Sequence, residues 1–208
     1  MTNLYIFDLD GTLLDTIEDL AGAVNFALKN NGLPTRTLAE VTSFVGNGMK
    51  TLIERSVPTG YENTEAVFQD FRTHYAAHNM DKTKPYDGIM EMLKRLKADG
   101  KKVAVVSNKA DAPVQVLCQK YFDGLYDFAV GEQAGIAKKP APDLVNLALE
   151  KLGETCDNAV YIGDSDVDII TANNAKMPCI SVSWGFRSTE FLLAHGATRI
   201  VDSPNEIL

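Results

Sequence analysis

The pattern of apolar and polar positions divides the chain into short apolar runs and longer amphipathic stretches. Three- or four-residue runs of strand-forming residues, without polar alternation, are typical of strands buried on both faces of a sheet. Such runs occur at residues 4–7, 103–106, 128–130, 159–162 and 179–182. Helical spacing of apolar residues occurs between them, at residues 88–98, 111–120, 142–152 and 167–176. We therefore predict that strands and helices alternate after Pro85.

The segment from residue 15 to about residue 82 has only helical patterns. Asp15 or Thr16 can cap a first helix, and Asn31 with Gly32 ends it. Further helices are expected at residues 38–44, 49–56 and 65–79. Because this segment separates the first predicted strand from all the others, it is an insertion into the strand-containing part of the chain.

Alternating strands and helices imply a parallel sheet that is covered on both faces. We therefore predict an α/β fold with a Rossmann-like parallel sheet core, built from residues 1–14 and 83–208. The inserted α-helical segment, residues 15–82, would form a second domain.

Charge and cysteine content narrow the classes of partner. The chain has 20 basic and 28 acidic residues and a net charge of −8, which disfavours nucleic acids and anionic membranes. A small anionic substrate remains compatible, since a bound cation can invert the local charge. Cys118, Cys156 and Cys179 are scattered and indicate reduced thiols. No stretch approaches the roughly 20 apolar residues of a membrane span, so we expect a cytoplasmic protein.

The residues able to carry chemistry stand where the predicted strands end. Asp8 and Asp10 follow the first strand, Ser107 the second and Asp164 the fourth, while Lys139 lies in a loop before a helix. Open α/β sheets bind ligands outside the carboxyl ends of their strands. We therefore expect these side chains to form one acidic pocket, in which Ser107 and Lys139 are the two groups able to bind phosphate.

An acidic pocket of this kind favours a metal ion. Two carboxylates about 5 Å apart repel each other by roughly 3 kcal/mol at an effective dielectric constant of 20. Three carboxylates are therefore hard to keep ionised without a cation, and hard oxygen ligands select Mg²⁺. An isolated Asp-x-Asp pair is commonly a solvated turn, but here it directly follows a buried strand and is accompanied by the other strand-end groups.

These motifs resemble those of the haloacid dehalogenase superfamily, in particular its phosphatases with a helical cap inserted after the first strand. The segment DLDGT from Asp8 matches the first motif, Ser107 the second, Lys139 in KPAP the third, and GDSDVD from Gly163 the fourth. The resemblance covers essentially the whole chain. Residues 15–34, 45–48 and 107–109 look most like those of phosphoglycolate phosphatases.

The resemblance implies roles for two catalytic aspartates and a metal site. Asp8 would be the nucleophile that forms an aspartyl-phosphate. Asp10 would protonate the leaving alcohol and then activate water. Asp8, the backbone carbonyl of Asp10, and Asp164 would hold the Mg²⁺ cofactor, and Asp168 would orient water or Lys139 from behind these ligands.

The remaining implied roles concern the phosphoryl group and the cap. Ser107 and Asn108 would donate hydrogen bonds to the phosphoryl oxygens, and Lys139, rather than the adjacent Lys138, would offset their charge. In the cap, the candidate substrate contacts are Gly46, Gly48, Lys50 and Arg55. The glycines are equally compatible with an ordinary helix boundary. For the two cations a solvated surface position is the favoured alternative.

Some residues outside the motifs leave their alternatives open. His74 and His78 have the i, i+4 spacing of a metal site but no acidic or thiol partner beside them, so ordinary helix residues are favoured. Trp184 and Phe186 follow the fifth strand and could either lie beside the site or fill the core.

The resulting prediction is Mg²⁺-dependent hydrolysis of a small phosphorylated metabolite through an aspartyl-phosphate, with phosphoglycolate the leading substrate. Pyrophosphatase, nucleotidase and sugar-phosphate phosphatase activities would use the same core residues. The sugar-phosphate mutases of the same superfamily typically carry a histidine early in the first helix of the cap. A phosphomutase is therefore disfavoured, because the corresponding segment from Ile17 to Leu20 has no histidine. A receiver-type signalling module would lack the helical insertion, and dehalogenation would not need Asp10.

Overall fold

The computed structural model describes residues 2–208 and contains a six-stranded parallel sheet. Its strands lie in the order β5-β4-β1-β6-β7-β8, and every neighbouring pair is parallel. They are β1 (Leu4–Phe7), β4 (Lys102–Ala110), β5 (Phe128–Glu132), β6 (Ala159–Gly163), β7 (Cys179–Val182) and β8 (Ile200–Val201). Two shorter strands, β2 (Leu14–Asp15) and β3 (Lys84–Pro85), form a separate two-stranded sheet.

Strand β1 occupies the position where the order of the sheet reverses. The chain continues from β4 to β5 on one side of β1 and from β6 to β8 on the other. Phe7 at the end of β1 pairs with Val105 of β4 and with Ile162 of β6. The carboxyl ends of β1 and β6 therefore lie side by side, while β4 runs beside them and continues to Ala110. The loop after β1 begins at the switch point where such sheets bind ligands.

The chain divides into two compact units. The sheet unit takes the chain up to Leu14 and again from Pro85 onwards, and the helical unit is Asp15–Lys84. The helical unit consists of α1 (Ile17–Asn30), α2 (Leu38–Phe44), α3 (Met49–Ser56) and α4 (Thr64–His78). Its core includes fully buried side chains from all four helices, among them Val24, Val41, Ile53 and Phe71. Burial of each such side chain contributes roughly 1.5–3 kcal/mol.

Five helices complete the sheet unit: α5 (Ile89–Ala98), α6 (Asp111–Phe122), α7 (Asp143–Leu152), α8 (Asp166–Asn174) and α9 (Thr189–Ala194). Two 3-10 turns lie at Cys156–Asn158 and Pro204–Ile207. A hydrophobic cluster joins Leu4 and Ile6 of β1 to Leu144 of α7 and Ala172 of α8. Within residues 2–208, the helices lack the combination of length and hydrophobicity that a membrane span needs.

The structure differs from the sequence prediction mainly at the end of β4 and in the segment after β7. The second predicted strand does not end at Ser107 but continues to Ala110, and its pairing with β5 shifts register between Val106 and Ala110. Strand β8 and helix α9 were not predicted, because two and six residues are too few to show a periodicity. The predicted α/β class with a parallel sheet is confirmed.

Candidate active site

The turn after β1 carries the first two aspartates. The backbone N–H of Asp8 still donates to the carbonyl of Ile162, at 2.9 Å, and so extends the sheet by one residue. The chain then folds back, and the N–H of Leu14 donates to the carbonyl of Leu9. Gly11 takes a φ of +86°, where a side chain would also overlap the carboxylate of Asp164. A glycine is therefore needed for the turn to approach the end of β6.

Three carboxylates converge beside this turn. One oxygen each of Asp8, Asp164 and Asp168 lies within 4.8 Å of the other two. Burial, followed by the repulsion of Asp168 and Asp164, raises the pKa of Asp8 well above its ordinary value, although Lys139 acts in the opposite direction. Burial and the charge of Asp168 likewise raise the pKa of Asp164 to about 7. The cluster therefore favours a nearby positive charge.

Lys139 supplies one such charge. Its ammonium group lies 2.9 Å from Oδ1 of Asp8, 2.8 Å from Oδ1 of Asp168 and 3.0 Å from the hydroxyl of Tyr161. Burial alone would lower the pKa of Lys139, but Asp168 and Asp8 raise it well above its ordinary value. Lys139 is therefore a buried cation held by three acceptors. The side-chain amide of Asn108 donates to its backbone carbonyl at 3.0 Å.

Both carboxylate oxygens of Asp168 accept hydrogen bonds from other groups of the protein. Its Oδ1 accepts from Lys139 and, at 3.1 Å, from the hydroxyl of Tyr161. Its Oδ2 accepts from the N–H and the hydroxyl of Ser165, in the capping box that begins α8. Although Asp168 is close enough to bind a metal, four hydrogen bonds instead suit it to orienting Lys139 and the start of α8.

A second ion pair, partly buried, involves Asp10. The ammonium group of Lys109 lies 2.9 Å from Oδ1 of Asp10, and only 2% of the Lys109 side chain is exposed. The backbone N–H of Lys109 also donates to the hydroxyl of Ser107 at 3.1 Å. Sequence reasoning gave Lys109 no role, although it follows Ser107 and Asn108 directly. The register shift at the end of β4 is the feature that sequence patterns did not reveal.

The segment after β7 also reaches the cluster. The indole N–H of Trp184 donates to the carbonyl of Thr12 at 3.0 Å, and the N–H of Phe186 donates to Oδ2 of Asp164 at 2.8 Å. The Thr12 hydroxyl donates to Oδ1 of the same carboxylate at 3.2 Å. The open alternatives for Trp184 and Phe186 are therefore resolved in favour of contact with the site. Their position after a strand of the same sheet was the available signal.

The four substrate-contact candidates Gly46, Gly48, Lys50 and Arg55 belong to the helical unit. Gly48 precedes α3 with a φ of +88°, and Lys50 lies in the first turn of that helix. The guanidinium group of Arg55 donates to the carbonyl of Phe44 at 3.0 Å. Arg55 therefore already stabilises the end of α2 within its own unit.

The charges of the sheet-unit site suit a divalent cation. The side chains of Asp8, Asp10, Asp164 and Asp168 are opposed by those of Lys109 and Lys139, which leaves two uncompensated negative charges if all are ionised. Within residues 2–208, the three clustered aspartates are the one group of three or more acidic, histidine or cysteine residues positioned to bind a metal. Oxygen ligands of this kind fit Mg²⁺.

His74 and His78 are not part of any such group within the described residues. Their rings stack on each other with centroids 4.3 Å apart, and His74 also stacks on Phe26. The expectation that no acidic residue stands beside these histidines is wrong for His78, because its Nδ1 lies 2.8 Å from Oδ2 of Asp81. These contacts are those of an aromatic stack on the helical unit.

Comparison with known proteins identifies similar sequences and structures. The family model of the haloacid dehalogenase-like hydrolases matches residues 5–182. A phosphoglycolate phosphatase of Aquifex aeolicus (strain VF5) is 37% identical over 186 residues, which cover 87% of this chain and 84% of that protein. A phosphoglycolate phosphatase of Colwellia psychrerythraea (strain 34H) is 33% identical over 212 residues, covering 98% and 94%.

A solved structure extends the similarity to the whole fold. It is a crystal structure from Lactobacillus delbrueckii subsp. bulgaricus, provisionally assigned as a phosphoglycolate phosphatase. It is 40% identical to this chain, with a TM-score of 0.94, and the match covers 100% of this chain and 97% of the other.

Proposed function

The chain belongs to the haloacid dehalogenase-like hydrolases and is a phosphatase, and we propose that it uses Mg²⁺ to hydrolyse small phosphate monoesters, first among them phosphoglycolate. The observation that carries the proposal is the buried ion pair between Asp8 and Lys139, 2.9 Å apart, at the switch point of the sheet. A carboxylate aligned by a cation and surrounded by further acidic groups is suited to attack phosphorus once the negative charge is offset.

Asp8 is the proposed nucleophile. Its carboxylate forms a bond to phosphorus while the bond from phosphorus to the alcohol oxygen breaks, and Asp10 donates a proton to that oxygen. In the second half of the reaction Asp10 accepts a proton from water. The water oxygen then bonds to phosphorus, Asp8 is released and inorganic phosphate leaves. Lys109, which contacts Oδ1 of Asp10, would hold this carboxylate in place during both transfers.

The phosphoryl group is proposed to bind among donors at the ends of β1, β4 and β6. Lys139 would offset the charge shared by the phosphoryl oxygens and Asp8, and Ser107 and Asn108 would donate hydrogen bonds to those oxygens. The carboxylates of Asp8 and Asp164, with the backbone carbonyl of Asp10, would hold the Mg²⁺. When bound, this ion would supply the positive charge that stabilises the phosphoryl group during transfer.

Phosphoglycolate is proposed because the relatives in Aquifex aeolicus and Colwellia psychrerythraea carry that name. Its leaving group bears a carboxylate, which Lys50 or Arg55 of the helical unit would offset. Gly46 and Gly48 would let the backbone of the same loop approach the substrate. Pyrophosphate, nucleotides and sugar phosphates are the competing substrates, since they need the same residues of the sheet unit.

A phosphate-release screen in the presence of Mg²⁺ tests the substrate. Phosphoglycolate, several sugar phosphates, nucleoside monophosphates and pyrophosphate are compared by kcat/KM, and we expect phosphoglycolate to be highest. A higher value for pyrophosphate or a nucleotide would overturn the proposed substrate but leave the enzyme class intact.

The proposed location is the cytoplasm, where the three cysteines would remain reduced. Cys118, Cys156 and Cys179 are free thiols, as is usual for proteins of that compartment. The proposed partner is a small phosphorylated metabolite and neither a nucleic acid nor a membrane, in line with the net charge of −8.

A further inference from the structure

We infer that the segment Trp184-Gly185-Phe186 is a positioning element that fixes the carboxylate of Asp164 and thereby sets the affinity of the site for a divalent cation. The inference rests on the proposed function in one respect, since it takes Asp164 to be a metal ligand. None of the three residues belongs to the motifs that suggested the reaction.

The first observation is that each oxygen of Asp164 has its own donor. The backbone N–H of Phe186 donates to Oδ2 at 2.8 Å, and the hydroxyl of Thr12 donates to Oδ1 at 3.2 Å. Hydrogen bonds to an ionised acceptor are roughly twice as strong as those between neutral groups. Donors on both oxygens restrict rotation of the carboxylate, so its orientation is set before a cation arrives.

The second observation is that Trp184 ties these two donors together. Its indole N–H donates to the backbone carbonyl of Thr12 at 3.0 Å. The side-chain hydroxyl of the same threonine donates to Asp164. The segment after β7 and the turn after β1 are thereby joined on two sides of one carboxylate. Loss of the indole N–H would loosen the turn and the segment at once.

The third observation is the close approach at Gly185. A Cβ atom at this position would lie 2.5 Å from the backbone oxygen of Gly11 and 2.6 Å from Oδ2 of Asp164. Both distances are shorter than real Cβ contacts allow, so any side chain would push the segment away from the carboxylate. The absence of a side chain at Gly185 is therefore what lets the N–H of Phe186 reach Asp164.

Groups that orient a metal ligand typically change metal affinity by about 10–100-fold when they are altered. Because variants of the segment keep the Asp164 side chain itself, such a loss would come from the altered hydrogen bonds to this carboxylate and not from removal of a metal ligand. The expected effect is weaker cation binding in the absence of any substrate, which separates this role from a contribution to substrate binding.

The test is calorimetric titration of the full-length protein with Mn²⁺ alone, without substrate. We expect the Gly185→Ala variant to bind Mn²⁺ at least about 10-fold more weakly than the wild type. The Trp184→Phe variant, which keeps an aromatic ring but loses the N–H, is expected to bind about 3–10-fold more weakly. Gly22→Ala is the matched control, because nothing lies within 4 Å of a Cβ atom at that position of α1, and its affinity should equal that of the wild type.

Thermal unfolding curves verify that each variant is folded at the temperature of the titration. If Gly185→Ala does not fold, Trp184→Phe decides the outcome. Affinities within twofold of the wild type in the folded variants would overturn the inference while leaving the proposed phosphatase unaffected. Wild-type protein that binds no Mn²⁺ would overturn both the inference and the proposed metal site. If the variants bind Mn²⁺ more weakly but the wild-type protein hydrolyses no phosphoglycolate, the result would support the inference and refute only the proposed substrate.

Discussion

At the scale of single residues, Lys139 is the best-constrained group of the site. Asp8, Asp168 and Tyr161 all accept from its ammonium group, at 2.8–3.0 Å, and only 2% of its side chain is exposed. An ammonium group has three donors, so all three are satisfied by the protein. The sequence predicted that Lys139 would lie close to Asp8. It did not predict the contact with Tyr161, because a tyrosine within an apolar run is typical of a buried core residue.

Removal of the Tyr161 hydroxyl should therefore impair catalysis without unfolding the protein. In Tyr161→Phe we expect kcat to fall about 10–100-fold, since the hydroxyl loses its hydrogen bonds to the charged groups of Lys139 and Asp168 and a bond of this kind contributes about 1.5–3 kcal/mol. The measurement is kcat and KM for the best substrate of the phosphate-release screen.

Tyr5→Phe is the matched control for this substitution. Tyr5 lies on β1, next to β6, and pairs with Val103 and Val160, away from the Lys139 network. In a Lys139→Met background, the Tyr161→Phe change should have no further effect on the remaining activity. An equal loss of kcat in both backgrounds would show that Tyr161 does not act through Lys139.

At the scale of secondary-structure elements, the sequence predicted best where an element is long or strongly patterned. Helices α2 and α3 have the predicted bounds, and β1 and β7 do as well. The end of β4 was wrong because polar residues there suggested a loop, whereas the strand continues through a register shift. Lys109 could not be assigned from the sequence, since its contact with Asp10 depends on that irregular end.

The start of α1 contains a structural acidic residue that the motifs do not include. Asp19 is 7% exposed, and its carboxylate accepts hydrogen bonds from the backbone N–H groups of Lys82 and Thr83 and from the hydroxyl of Thr83. The carboxylate thereby fixes the end of the helical unit to the beginning of its first helix. A buried group with several donors is costly to replace, because its partners lose an acceptor.

We expect Asp19→Asn to lower the free energy of unfolding by about 1–3 kcal/mol, measured by urea denaturation. Glu18→Gln is the matched control, because the adjacent Glu18 makes an exposed ion pair with Lys82 and such pairs contribute little. Its unfolding free energy should change by less than about 0.5 kcal/mol. Equal effects of the two substitutions would contradict the role assigned to Asp19.

At the scale of the whole molecule, sequence patterns were sufficient for the fold because the sheet strands are short, apolar and separated by amphipathic helices. They also predicted that strand-end aspartates would meet, since the carboxyl ends of β1 and β6 lie side by side. The chemical roles of these residues stay predictions. The buried carboxylates dominate the expected response of the protein to pH and to metal ions.

Stabilisation by Mg²⁺ should grow as the pH rises from 5 to 8. The pKa of Asp164 is raised to about 7, with burial the largest cause, and that of Asp8 is also raised. A raised carboxyl pKa favours the folded protein at low pH, and this stability is lost as the pH rises through the folded-state pKa. Bound Mg²⁺ would offset that loss, because it binds the ionised carboxylates.

The measurement is the increase in Tm caused by Mg²⁺ at each pH, with equal ionic strength from KCl as the reference. In Asp164→Asn the increase should be smaller at every pH. An increase that is the same at pH 5 and pH 8 would contradict the assignment of the buried carboxylates as the Mg²⁺ site.

The central claim is that Asp8 attacks phosphorus, and the kcat of Asp8→Asn tests it most directly. The amide keeps the size of the side chain but is a far weaker nucleophile, so we predict a loss of at least about 10³-fold in Mg²⁺-dependent phosphate release. Circular dichroism would verify that the variant is folded. A folded Asp8→Asn protein that releases phosphate within about 10-fold of the wild-type rate would contradict the account.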